Sequence, residues 1–124
     1  MFEVTVEDEF SAAHFLKLYD GSYELKHGHD WKVAVTVRSE GLDSMGVVVD
    51  FEWLKPSLKK VLSELNERSL NDLPAFKDNP VNPSTENIAK LIADRLVEAM
   101  PKGDARLVKV TVWETRDACA SYYL

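Results

Sequence analysis

Two stretches of alternating apolar and polar residues lead to and from the chain's histidines, and this arrangement limits the fold more than any other feature. Phe2-Glu3-Val4-Thr5-Val6 runs toward His14, and Trp31-Lys32-Val33-Ala34-Val35-Thr36-Val37 runs away from His27-Gly28-His29. Alternation with period two predicts two half-buried strands, at roughly 2–13 and 29–39. Paired antiparallel, the first ends in His14 where the second begins with His27 and His29. Histidines at i and i+2 on a strand share one face. These are the chain's 3 histidines. Three imidazoles with a fourth position left open form the ligand pattern of catalytic zinc. An isolated histidine is more often a surface or hydrogen-bonded core residue, so the convergence is what points to a metal.

The remaining segments follow in order. A helix is expected after Asp50, with Leu54, Leu58, Val61, Leu62 and Leu65 on one apolar face. A first-turn proline loses no intrahelical bond, so Pro56 places the regular start near Trp53 or Leu54. A polar, proline-bearing connection spans Asn71 to Pro80. A second helix begins around Asn82-Pro83-Ser84, with Asn or Ser as the cap and Pro83 suited to the first helical position. Its buried stripe is Ile88, Leu91, Ile92, Leu96 and Ala99, and Met100-Pro101-Lys102-Gly103 stops it. Leu107–Glu114 reads as a third strand with Val108, Val110 and Val112 on one face, and Ala118–Leu124 as a fourth. The segment 15–26 is too long for a tight hairpin loop, and such connections are often functional. The order strand-strand-helix-helix-strand-strand (ββααββ) predicts an α+β fold: a four-stranded antiparallel sheet with two helices on one face. The other face, with Thr5, Ala34, Thr36, Thr111 and Trp113, is mixed in polarity and open to partner subunits.

The 124 residues fit one domain, 1–124. A net charge of −6 and the lack of basic runs argue against a nucleic-acid partner. No apolar run is long enough to span a membrane, and no signal-peptide pattern opens the sequence, so a cytoplasmic location is expected. Cys119 is the single cysteine, which excludes an internal disulfide and suggests a small buried hydrophobe.

Phe10-Ser11-Ala12-Ala13-His14, His27-Gly28-His29, Gly46 with Val49-Asp50-Phe51 and Leu54-Lys55, Leu70-Asn71, Asn82-Pro83-Ser84-Thr85-Glu86-Asn87 and Val112-Trp113-Glu114-Thr115 occur in that order. This ordered set, covering nearly the whole chain, resembles the 6-pyruvoyltetrahydropterin synthase and 6-carboxytetrahydropterin synthase family of zinc-dependent pterin enzymes. The resemblance implies the T-fold, in which trimers close a barrel from their sheets and two trimers stack into a homo-hexamer with sites between subunits. It implies Zn2+ held by His14, His27 and His29, a pterin ring anchored by Glu114, and pterin contacts from Ser84 and Thr85. The chemistry agrees for Glu114: a carboxylate can accept the ring N–H and the adjacent amino group together. By strand parity Glu114 follows Val112 on the apolar face, where a lone carboxylate is costly without a partner. For Ser84 and Thr85, helix capping is an equally simple role.

The sequence departs from the family at three positions. Tyr23 stands where the usual members carry a catalytic cysteine, and Asn66 and Glu67 stand where they carry an Asp-His pair. Glu24, three residues before His27, gives Glu-x-x-His-Gly-His. This is similar to a subgroup in which glutamate replaces the cysteine and which cleaves the side chain of 7,8-dihydroneopterin triphosphate to 6-hydroxymethyl-7,8-dihydropterin. The expected activity is therefore that of a zinc-dependent lyase with Glu24 as general base. The alternatives are a 6-pyruvoyl- or 6-carboxytetrahydropterin synthase, and a zinc- and pterin-binding relative without turnover.

Overall fold

In the computed structural model, which describes residues 1–78 and 80–124, the elements are laid out around one long antiparallel pair. Strand β1 (Phe2–His14) and strand β2 (His27–Ser39) pair along their whole length, from Phe2 opposite Ser39 to His14 opposite His27. The predicted convergence holds: all three histidines lie inside the paired strands, which run slightly further toward the connection than the alternation indicated.

Helix α1 (Phe51–Ser63) follows, then the two-residue strand β3 (Arg68–Ser69), a 3-10 turn (Leu70–Asp72), the short helix α2 (Pro74–Lys77) and helix α3 (Thr85–Ala99). Strands β4 (Arg106–Thr115) and β5 (Ala118–Tyr123) complete a sheet of 5 strands in the order β3-β1-β2-β4-β5. The α+β class is as expected, with one more strand and one more helix. β3 pairs parallel with Ala12 and Ala13; two residues carry no periodic signal. The connection expected from Asn71 to Pro80 contains the end of the 3-10 turn and all of α2, and its Asn79 lies outside the described residues.

Helix α1 starts earlier than Trp53 because Asp50 caps it, its carboxylate accepting the Glu52 N–H at 2.9 Å. Pro56 therefore sits one turn inside, where it leaves the Glu52 carbonyl without its helical donor. Both residues are exposed, so water can serve that carbonyl. In α3 the cap is Ser84, which accepts the Asn87 N–H at 3.2 Å, and Pro83 lies before the cap rather than at the first helical position. The stripe α3 buries is Ile88, Ala89, Ile92, Ala93 and Leu96; Leu91 is half-buried and Ala99 exposed.

In β4 the register against β2 shifts between Thr36 and Val37, leaving Val108 unpaired. A bulge reverses parity beyond it, so Leu107, not Val108, joins Val110 and Val112 in the core. Cys119 is exposed, contrary to the buried position expected. It lies opposite Trp113, on the sheet face turned from the helices, while Val112 opposite Ala120 belongs to the inner face.

The core lies between the inner sheet face and α1 and α3. It includes Val6, Phe10, Val33, Val35, Leu54, Leu58, Ile88 and Ile92. Trp31 closes it at the histidine end: the ring stacks on Phe10 and its Nε1–H donates to the Ala12 carbonyl at 3.2 Å. Beyond Trp31 the same inner face turns polar.

Candidate metal centre

Strand periodicity places His14 on the face of Phe10 and Ala12, and His27 and His29 on the face of Trp31. Their rings crowd together, with centroids 4.6 Å apart for His14 and His27, 5.6 Å for His14 and His29, and 4.9 Å for His27 and His29. The Trp31 ring meets His14 and His29 edge-on at 4.9 and 5.3 Å. The cluster thus rests on the core and is oriented by it.

Glu114 joins from β4. The register against β5 shifts between Trp113 and Thr115, and Glu114 is the residue at that irregularity. Bulges next to functional sites re-aim side chains. The Glu114 carboxylate lies 3.0 Å from His14 Nε2 and 3.4 Å from His29 Nε2. One donor atom from each of His14, His27, His29 and Glu114 lies within 4.8 Å of all the others, so the four could hold a metal ion.

The hydrogen bonds test that fit. His14 Nδ1 lies 2.7 Å from the Pro83 carbonyl, and His27 Nδ1 lies 2.8 Å from the Leu25 carbonyl. A carbonyl only accepts, so both rings carry their proton on Nδ1 and, when neutral, turn a lone pair on Nε2 toward the cluster. His14, only 1% exposed, then points this lone pair at a carboxylate oxygen. Two acceptors in that position need a cation. A proton on His14 would satisfy that contact alone, and the buried His29 Nε2 would still lack a hydrogen-bond partner among the described residues. One divalent ion satisfies all three rings and the carboxylate. Outward-held Nδ1 protons are the usual support of metal-binding histidines. Burial pushes the His29 imidazole below its ordinary value of 6.5; Glu114 opposes this, and the neighbouring His27 and His14 add to it. A neutral ring is the form a metal requires.

The other predicted residues are disposed as follows. Glu24 lies at the rim, its Oε1 3.9 Å from His27 Nε2 and accepting the Leu16 N–H at 2.9 Å. Tyr23 is exposed and packs edge-on against Phe15. Ser84 caps α3 directly after Pro83, the residue that holds His14, and Thr85 opens the helix. Asn66 and Glu67 sit at the β1 edge: Asn66 accepts the Ser11 N–H at 2.9 Å, and the Glu67 N–H donates to Ser11 at 2.6 Å. Glu67 adopts φ 58, rare without glycine. With Ser11, Asp30 and Arg68 it lines an open depression of about 530 Å³ that reaches His29.

Sequence reasoning missed two participants, and the closeness of a third to the imidazoles. The Pro83 and Leu25 carbonyls are main-chain groups, and every residue has one, so no pattern marks them. The proximity of Glu114 to the imidazoles follows from pairing across the sheet, although its position on the apolar face was legible.

Residues 3–124 match the 6-pyruvoyl tetrahydropterin synthase family. A dihydroneopterin monophosphate aldolase from Pyrococcus furiosus is 38% identical over 105 residues, covering 85% of this chain and 82% of its own. A 6-carboxy-5,6,7,8-tetrahydropterin synthase from Aquifex aeolicus is 33% identical, covering 77% and 72%. The solved 6-pyruvoyl tetrahydropterin synthase of Caenorhabditis elegans superimposes with a TM-score of 0.81 over 99% of this chain and 96% of its own, at 29% identity. With its histidine cluster, its ordered motifs and this match over nearly all its length, the chain belongs to the 6-pyruvoyl tetrahydropterin synthase family.

Proposed function

We propose that this chain is a zinc-dependent lyase that cleaves the side chain of a phosphorylated 7,8-dihydroneopterin to give 6-hydroxymethyl-7,8-dihydropterin. The observation that carries the reading is Glu24, a carboxylate at the rim of the histidine cluster, in a chain whose Tyr23 replaces the cysteine of the usual members. The name of the Pyrococcus relative, an aldolase acting on the monophosphate, supports the same class of reaction. His14, His27 and His29 would hold Zn2+, which when bound supplies Lewis-acid polarisation of substrate hydroxyls.

The chain's own groups account for the proton balance. Glu24 is anchored through one oxygen by Leu16, which leaves the other for substrate. It takes the proton from the second side-chain hydroxyl. The electron pair of that O–H becomes the carbonyl of the departing two-carbon aldehyde, and the bond between the first two side-chain carbons breaks. Its electrons pass into the C6–N5 imine of the dihydropterin. Returning the proton from Glu24 to the first side-chain carbon completes the hydroxymethyl product.

Glu114 is the proposed pterin anchor. It is about a third exposed, at 32%, so an entering ring can reach it. Ser84 spends an acceptor position on the helix cap and keeps its hydroxyl proton for the substrate; Thr85 offers a second hydroxyl. Replacing Glu114 by glutamine should weaken pterin binding roughly 10- to 100-fold with metal content unchanged. Loss of metal in that variant would instead make Glu114 a fourth metal ligand.

Assembly belongs to the same proposal. The outer edges of β5 and of most of β1 are unpaired among the described residues, and open edges are usually covered. A trimer, or a hexamer of two trimers, would close them into a barrel; light scattering showing a monomer at micromolar concentration would rule this out.

The reading is tested by mass spectrometry of products formed from dihydroneopterin mono- and triphosphate by zinc-loaded protein. 6-Hydroxymethyl-7,8-dihydropterin is expected. A 6-pyruvoyl or 6-carboxy product would make the chain a synthase, and substrate bound without turnover would make it a binding protein.

A further inference from the structure

The connection that carries Glu24 is held by two asparagine side chains, one on each side of the Glu24 contact. The Phe15 N–H donates to Asn71 Oδ1 at 3.0 Å, and Asn71 Nδ2 donates to the Phe15 carbonyl at 2.9 Å. Two residues on, the Lys17 N–H donates to Asn82 Oδ1 at 2.8 Å, and Asn82 Nδ2 donates to the Lys17 carbonyl at 3.0 Å. Leu16, between them, is held by Glu24 instead. Its N–H donates to Glu24 Oε1 at 2.9 Å, and its carbonyl accepts the Glu24 N–H at 3.0 Å.

Three consecutive residues thus have both main-chain groups filled, the outer two by asparagines and the middle one by Glu24. This is the alternation of an extended strand, whose successive peptide groups point to opposite sides. Each asparagine acts as a one-residue strand partner. A primary amide suits the task because it presents a donor and an acceptor together without charge. Lys17 opposite Tyr23 is an isolated bridge, and beyond it the connection closes on itself, the Leu18 N–H donating to the Ser22 carbonyl at 2.7 Å.

The asparagines are themselves fixed close to the metal centre. Asn87 Nδ2 donates to the Asn82 carbonyl at 2.9 Å, and the next carbonyl along, that of Pro83, takes the Nδ1 proton of His14. Asn82 and Pro83 therefore set two things at once: the height of the connection at Lys17 and the ring of His14. Asn71 extends from the 3-10 turn beside β3 and sets the connection at Phe15.

We propose that Asn71 and Asn82 are positioning residues that fix the Glu24 carboxylate relative to the histidine cluster. The proposal rests on the reading of Glu24 as the base, and its test must separate the two. Asn71→Ala and Asn82→Ala are made in the full chain, in the wild-type and Glu24→Gln backgrounds, with zinc present. Amide exchange at Leu16, which needs no turnover, reports the order of the connection, and zinc content reports the cluster. Protection at Leu16 should fall at least about tenfold in either variant, with zinc content unchanged. With dihydroneopterin phosphate, kcat should fall roughly tenfold or more while KM changes little, because a small misplacement of a reacting group is costly. In the Glu24→Gln background the same substitutions should cost nothing further, as expected of residues that act through one group.

Unchanged protection at Leu16 would overturn the proposal, as would rate losses that add to that of Glu24→Gln. If Glu24→Gln alone turns over normally, the base assignment falls and the positioning proposal falls with it, even where Leu16 loses protection. If Leu16 protection survives while Glu24→Gln is inactive, the positioning claim fails alone. The Lys17–Asn82 pair is at the surface, so Asn82→Ala is expected to fold and suffices to decide the matter if Asn71→Ala does not.

Discussion

Replacing Glu24 by glutamine should reduce formation of 6-hydroxymethyl-7,8-dihydropterin by roughly 10²–10⁴-fold, the usual cost of removing a general base. The substitution is close to isosteric. The amide oxygen can still accept the Leu16 N–H that now binds Glu24 Oε1, so the connection should keep its shape. The amide cannot take a proton from a substrate hydroxyl, so the loss should fall on kcat. Zinc content and pterin affinity should stay near wild type, because Glu24 lies outside the four-residue cluster. Tyr23→Phe is the control: Tyr23 is exposed and packs through its ring on Phe15, and loss of its hydroxyl should change the rate little. Steady-state rates with product identification decide the point. Normal turnover by Glu24→Gln, or a collapse in Tyr23→Phe, would remove Glu24 from its assigned role.

The path from sequence to this site was readable wherever periodicity ran unbroken. The alternation of Phe2–Val6 and Trp31–Val37 needed only antiparallel pairing to bring His14 opposite His27, and the register shows that pairing. It failed where a residue was inserted. Val108 has the parity of Val110 by counting, but the bulge turns it out and brings Leu107 in. No composition rule distinguishes those two residues as the extra one. Pro56 differs for another reason: in the first turn a proline loses no hydrogen bond, whereas one turn inside the helix it does. Its face is exposed, however, and the Asp50 cap repays the early start.

Within the site, side-chain chemistry was legible and main-chain chemistry was not. The histidines and Glu114 carry their own signal in identity and spacing. The Pro83 and Leu25 carbonyls that fix two of the rings carry none. Asn71 and Asn82 were visible within motifs, but their task depends on three extended residues, Phe15 to Lys17, that lack a strand-like pattern. What the local sequence leaves open is how the paired strands β1 and β2 end, and that is where the Glu24 connection lies.

Loss of the metal ligands should have the second large effect. Wild-type protein purified without added metal should carry about one zinc per chain, and a His27→Ala, His29→Ala double variant close to none. Without a cation, a His14 ring with its proton on Nδ1 alone turns a lone pair toward the Glu114 carboxylate at 3.0 Å, and His29 Nε2 is buried without a hydrogen-bond partner among the described residues. A chelator should therefore also lower the melting temperature, since an ion held by the three histidines would link the ends of β1 and β2. Free zinc at a hundredfold its Kd adds about 2.7 kcal/mol to stability. Acid should act in the same direction. Burial holds the His29 imidazole below 6.5, so between its folded value and 6.5 the unfolded chain binds more protons. Its contribution to stability is then complete above 6.5 and is lost as the pH falls through the folded value. Protonation of the imidazoles would also release the metal. Elemental analysis across pH, with thermal melts with and without chelator, measures each effect; full zinc retention by the double variant would show that the ion is held elsewhere.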